Sequence, residues 1–226
     1  MKLNNKRTIL VGLAFLSICA FWQMYDSIVP LILTKTFHMN ETFSGAIMAA
    51  DNILALFLLP FFGSVSDKSH SKLGKRMPFI LFGTGCAIIL MNILPLLDNS
   101  YAAQPSGFKT ASFVIVLGLL LVAMGTYRAP AVALMPDVTP KPLRSRANAI
   151  INLMGAVGGI LYLGVAAVLY PNSKTAGLDH VNYQPLFIVV SAIMFVAVAV
   201  LFLTIREPKL TAENQALEKQ HPEWNL

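Results

Sequence analysis

The sequence predicts an all-α, polytopic membrane protein with six transmembrane helices. Three observations carry that expectation. Hydrophobic residues make up 56% of the chain and charged residues only 12%, whereas a soluble domain is about 25% charged. Six apolar runs each reach the ~20 residues needed to cross a hydrocarbon core. The basic residues fall mostly in short loops between those runs rather than in a stripe.

The first run, 8–34, follows MKLNNKR and so imitates a secretory leader. It continues past residue 30 without a small-residue cleavage site, so it is expected to span rather than be removed. The remaining runs cover 42–65, 77–97, 111–135, 147–170 and 185–205. Residues 206–226 are polar and read as a cytoplasmic tail or the start of a central loop, with Thr211 as the N-cap of a short exposed helix. Pro60, Pro95 and Pro130 interrupt the second, third and fourth runs. Each would cost ~3 kcal/mol in a soluble helix. Membrane helices tolerate them because neighbours and trapped water satisfy the freed carbonyls. Pro136, Asp137, Pro140 and Pro142 are expected to end the fourth helix in a stiff turn.

Charge placement sets an orientation. Lys2, Lys6 and Arg7 precede the first run; Lys68, Lys72, Lys75 and Arg76 follow the second. Lys141, Arg144 and Arg146 follow the fourth, and Arg206, Lys209 and Lys219 follow the sixth. The alternate loops hold only Lys35, Lys109 and Lys174. The split is thirteen against three, so the positive-inside rule places both termini in the cytoplasm of a multi-pass cell-membrane protein.

Several chemistries are excluded. The formal charge of +6 comes without interleaved aromatics, so nucleic acid is not an expected partner. Cys19 and Cys86 lie inside apolar runs and read as packing residues. His38, His70, His180 and His221 sit in loops or the tail without ligand spacing; they read as solvated, and neither a metal nor a cofactor is expected. There is no GxxxxGK[ST] motif and no nucleophile constellation, so neither ATP hydrolysis nor another enzyme activity is expected.

Three formal charges lie inside the expected spans: Asp26, Asp51 and Arg128. Each costs ~2.5–3.5 kcal/mol near a helix centre, which makes each a candidate functional residue. A structural ion pair is the alternative reading. Rise per residue puts Asp26 and Asp51 ~7 and ~5 Å to the outer side, and Arg128 ~7 Å to the inner side. A water or substrate between acid and base is therefore expected in place of a direct Asp26–Arg128 pair. Cys19, Trp22, Gln23, Asp26 and Pro30 share one side of the first helix, with Tyr25 beside it. Asn148, Asn152, Gly155, Gly159 and Tyr162 form a four-three stripe on the fifth, and Gly155 to Gly159 is a GxxxG that permits close helix approach. Tyr127 borders Arg128. Aromatic rings, amides, carboxylates and a guanidinium suit a sugar, whose apolar face stacks and whose hydroxyls hydrogen-bond. The same set could hold a small organic ion.

The loop between the second and third runs, GSVSDKSHSKLGKRMPF, supplies Gly63, Asp67, Lys68, Gly74, Lys75 and Arg76. In that order it resembles the signature loop of the major facilitator superfamily. Its longer spacing from Lys68 to Gly74 is similar to the glycoside–pentoside–hexuronide cation symporters and the sucrose–proton symporters. The stretch Tyr127-Arg128-Ala129-Pro130 through Met135-Pro136-Asp137 to Arg144-Ser145-Arg146-Ala147-Asn148-Ala149 resembles the sucrose branch. The resemblance implies the N-terminal six-helix half of a major facilitator fold, a 3+3 inverted repeat. It implies cation-coupled sugar symport by alternating access, with Asp26, Asp51, Arg128, Trp22, Gln23, Tyr25, Tyr127, Asn148 and Asn152 serving substrate and coupling. Gly63, Asp67, Lys68, Gly74, Lys75, Arg76, Asp137, Arg144 and Arg146 would serve the conformational change. The melibiose-like branch carries carboxylates where this sequence has Leu59 and Ala55. That departure favours H+ over Na+ as coupling ion, with Asp26 or Asp51 titrating. Beside the lipid bilayer and a sugar, the implied partner is a second six-helix half or another copy. A non-transporting six-helix remnant or regulatory module is the alternative.

Overall fold

The computed structural model describes residues 3–225; Lys2, counted above with the N-terminal cations, and Leu226 lie outside it. Among the described residues six helices are long and apolar enough to cross a membrane. Helix α1, Asn5–Leu31, is capped by the Asn4 side chain, which accepts from the Arg7 amide at 3.1 Å. Pro30 removes a backbone donor near its end, the chain widens into a π-helical turn over Ile32–Thr36, and the Thr34 hydroxyl donates to the Pro30 carbonyl at 2.8 Å. Helix α2, Glu41–Asp67, is capped by Asn40, and α3, Met77–Ala103, begins with Pro78 in its first turn. Helix α4 spans Gly107–Val138 and α5 spans Arg144–Leu169. The four-residue α6, Asn172–Thr175, lies in the loop before α7, Gln184–Thr204. Helix α8, Glu207–Gln220, and a 3₁₀ turn at Pro222–Asn225 follow.

Two expectations about helix ends are corrected. Helix α4 passes through Pro136 and Asp137 to Val138, so only Pro140 and Pro142 lie in the turn. Thr211 is an interior residue of α8, whose N-cap is Arg206 and which has proline in its first turn. Proline supplies a helix start as well as a capping side chain does, because its missing N–H is one the first turn leaves unbonded anyway.

The principal helix contacts are α1 with α5, α2 with α4, α3 with α4, α1 with α7, and α3 with α7. Exchanging the first three spans with the last three maps each of these pairings onto another or onto itself. That is the contact pattern of a 3+3 repeat, and an odd number of spans per repeat makes the repeats antiparallel. Helix α1 is the most buried span. A Cβ on Gly155 would meet the Cys19 Sγ at 2.8 Å, and one on Gly158 would overlap the Leu16 carbonyl. The tight approach between α1 and α5 thus runs through Gly155 and Gly158. Gly159, expected from the GxxxG, has only Gln23 Oε1 nearby, at 3.9 Å. Helix α2 is the opposite case: only Ser44 and Ser66 are buried along its length, and Ile53, Leu56, Phe57 and Phe61 are exposed.

Candidate functional site

Mid-bundle, Trp22 of α1, Asp51 of α2 and Arg128 of α4 line one cavity, walled by Leu54, Leu58 and Gly125 among others. Its volume is about 20 Å³, room for little more than a water molecule. The Arg128 guanidinium carbon lies 5.6 Å from the Trp22 ring centroid, within cation–π range. Among the described residues Arg128 forms no ion pair with either acid. The depth offset expected between Arg128 and Asp51 does not separate them, because the long arginine stem carries its head to the cavity that Asp51 lines.

Trp22 and Asp51, which line this cavity, and Tyr25, on the same helix as Trp22, carry polar atoms that the protein leaves unbonded. Asp51 Oδ1, Trp22 Nε1 and the Tyr25 hydroxyl are buried without a hydrogen-bond partner. Such groups cost roughly 1–3 kcal/mol each unless something else binds them. Asp26 and Gln23, on α1, are exposed. Asn148 and Asn152 are exposed on α5. Tyr127 is a correction to the expected set: it is fully buried, and its hydroxyl is held by Ser17 Oγ and by the Ala14 carbonyl at 3.0 Å. It ties α4 to α1 instead of facing the cavity.

At the end of the bundle that carries the termini, Arg76 is a hub. Its Nε donates to Asp137 Oδ2 at 2.8 Å, one terminal nitrogen to Asp67, and the other to the Ser66 hydroxyl and the Gly63 carbonyl. The turn between α2 and α3 is thereby clamped to the end of α4. Gly74 has φ +112° and lies against Glu207, with which a Cβ would collide, so it is glycine for two reasons. Lys68 caps α2 through its backbone, and the Lys68, Lys75 and Arg146 side chains are exposed. Arg144 donates to the Thr139 carbonyl at 3.1 Å and to Glu218 of α8 at 2.9 Å.

Sequence reasoning missed Glu207. It is 2% exposed, and its carboxylate accepts from the Lys75, Arg76 and Met77 amides at 2.7–3.1 Å. An anion on these amides satisfies orphan donors and opposes the α3 dipole. Burial pushes the Glu207 carboxyl above the ordinary glutamate range, and the three amides pull it part of the way back. With the Asn214 side chain donating to the Asp137 carbonyl at 3.1 Å, the helix of this polar segment, α8, is docked on the bundle. The signal in the sequence was an acid directly before Pro208 at a helix start.

Asp98 was also missed. The sequence places the end of the third span at 97, but α3 continues to Ala103 and buries Asp98 completely. Neither carboxylate oxygen has a hydrogen-bond partner, and Thr36 and His180 are its polar neighbours. His180 Nδ1 lies 3.2 Å from the Thr36 hydroxyl and 4.0 Å from Asp98, and Nε2 lies 2.9 Å from Asn99 Oδ1. His180 is thus part of a polar cluster joining α1, α3 and the α6–α7 loop, which corrects its reading as a solvated histidine.

Comparison with known proteins adds a lineage. The Major Facilitator Superfamily model matches residues 11–225. The chain is 35% identical to the sucrose transport protein SUC3 of Arabidopsis thaliana over 158 residues, 65% of this chain and 26% of that protein. It is 36% identical to the sucrose transport protein SUT3 of Oryza sativa subsp. indica over 154 residues, 62% of this chain and 30% of that protein. Solute carrier family 45 member 3 of Homo sapiens is 25% identical over 186 residues, 80% of this chain and 34% of that protein. The match therefore spans about a quarter to a third of each relative's length.

Proposed function

The chain belongs to the major facilitator superfamily, and from that premise we propose that its six spans are one half of a cation-coupled sugar symporter working by alternating access. The observation that carries the proposal is the convergence of Trp22, Asp51 and Arg128 on one cavity with an unbonded carboxylate oxygen. Trp22 offers a stacking face, Arg128 and Asp51 offer hydrogen bonds to hydroxyls, and the nearby Gln23 and Asp26 are free to extend that surface. Asn148 and Asn152 would add amides from α5. The cavity is too small for a sugar, so the substrate would complete its shell from a second six-helix unit, on the same or another chain.

Asp26 and Asp51 are the proposed coupling groups, and H+ the proposed ion, with Na+ the other candidate. A carboxylate in the membrane that takes up a proton in one access state and releases it in the other would couple the gradient to transport. The excess of basic residues at the terminal end supports a cytoplasmic position for both termini of a multi-pass cell-membrane protein. At that end the Asp67–Arg76–Asp137 clamp and the Glu207 cap would hold one of the two access states.

Uptake of labelled mono- and disaccharides into proteoliposomes containing the chain with its second half tests the proposal. Accumulation should require a pH gradient and fall at least tenfold in Asp26→Asn or Asp51→Asn. If both variants still accumulate sugar against a gradient, the coupling assignment is wrong. If the wild type transports no sugar, the substrate class is wrong.

A further inference from the structure

Two adjoining cavities lie where α1, α7 and α8 meet, with volumes of about 340 and 370 Å³. They share Ile205, Arg206 and Lys209. Lys6 and Arg7 line the first and Lys72 the second, so five cations surround the pair, with Glu213 as the acid present. Among the described residues Glu213 pairs with Lys209, at 4.0 Å. Among the described residues the Lys6, Arg7, Lys72 and Arg206 side chains have no hydrogen-bond or ion-pair partner.

Four other acids at this end are already committed. Asp67 and Asp137 hold Arg76, Glu207 holds the α3 amides, and Glu218 holds Arg144. Lys6, Lys72, Arg206 and Lys209 are exposed and only Glu213 among the described acids lines the two cavities, so the cluster is open to an anion from outside the chain. The cavity walls say what kind of anion. Leu10 lines the first cavity, and Leu73, Met77 and Phe202 line the second. Phe202 continues onto the exposed apolar surface of α7, where Leu203 is 77% exposed. A free phosphate would use the cations and leave the apolar walls empty. A phosphate carried on acyl chains uses both, at the depth where the spans end.

We propose that this groove binds the headgroup of an anionic phospholipid, with Arg206 and Lys209 at its centre and its acyl chains along α7. The site rests on the membrane reading of the chain and not on its substrate. Arg206 directly precedes Glu207, so a bound headgroup would also hold the segment that seats the Glu207 cap on α3.

Native mass spectrometry of the full chain released from detergent, after incubation with phosphatidylglycerol or phosphatidylcholine, tests this. One phosphatidylglycerol should be retained in preference to phosphatidylcholine. Arg206→Gln/Lys209→Gln should weaken retention about thirtyfold, from the per-charge value for basic residues at an anionic surface. Neither side chain makes a capping bond, and the exposed Lys219→Gln serves as a charge control expected to bind like the wild type. Glu213→Gln, which removes the competing acid, should tighten retention. Equal retention of both lipids, or a double variant that binds like the wild type, overturns the site. Displacement by millimolar inorganic phosphate overturns the lipid identity in favour of a simple anion site. A Glu213→Gln variant that loses the lipid overturns the charge argument.

Discussion

Replacing Arg76 by glutamine removes the charge from the clamp while keeping a polar side chain of similar volume. The Arg76 side chain is 6% exposed, Asp137 29% and Asp67 59%. The Asp67 pair is solvent-screened and contributes ~0–1 kcal/mol. The Asp137 pair and the bond to the buried Ser66 hydroxyl are worth more, since a charged group stripped of its partner costs about 1.5–3 kcal/mol. Arg76→Gln should therefore destabilise the chain by on the order of 3 kcal/mol. Arg76→Lys should recover only part of that, because one ammonium cannot face four acceptors in the directions a guanidinium fork can. Unfolding in detergent, followed by circular dichroism, gives the stabilities. A double-mutant cycle with Asp137→Asn should show a coupling of about 1–2 kcal/mol, and one with Asp67→Asn less than about 1 kcal/mol. The reasoning fails if Arg76→Gln unfolds at the wild-type midpoint, or if the exposed Asp67 couples more strongly than Asp137.

Four further outcomes can be checked by the same unfolding measurement. Gly74→Ala must place a Cβ at φ +112° against Glu207, so it should cost at least the ~1–2 kcal/mol of a left-handed non-glycine residue; Gly63→Ala, inside α2 with nothing within 4 Å, should cost nothing and stabilise by up to about 1 kcal/mol. Gly158→Val, which drives side-chain atoms into the Leu16 carbonyl, should cost about 1–3 kcal/mol or separate α1 from α5. Because the Glu207 carboxyl is raised by burial, its advantage over Glu207→Gln should be greatest on the acid side of the ordinary glutamate range and shrink as pH rises through its folded value. A gap that widens with pH would mean the α3 amides outweigh burial. Asp98→Leu replaces a buried carboxylate whose oxygens are unbonded by an apolar side chain of similar size and should stabilise the chain by about 1–3 kcal/mol; a loss of stability would show that the charge is used.

The polar groups around the cavity and the clamp differ in how far the sequence exposes them. Asp26, Asp51 and Arg128 stand out from sequence alone, because an ionised group amid apolar residues has no cheap reason to be there. The Gly63–Arg76 loop is legible because its residues are close together in the chain. Glu207 and Asp98 were not legible: the partners of Glu207 are about 130 residues away, and the anomaly of Asp98 appears only once α3 is seen to continue past residue 97. Tyr127 misled for a related reason. Its proximity to Arg128 in sequence suggested the cavity, but one step along a helix turns a side chain by about 100°, here onto α1.

The sequence by itself determined that six helices cross a bilayer and in which order, since a run of apolar side chains has no other solvent in which to be stable and a hydrogen-bonded helix is the form open to it there. Only the tertiary structure decided which helices touch, that Arg128 and Asp51 share a cavity while Tyr127 does not, and that α8 folds back to cap α3. Those outcomes depend on the rotation of each helix about its axis and on where glycines let two helices meet. Lipid-facing and partner-facing apolar residues look alike in a sequence, so hydropathy carries the number of spans but not their facing.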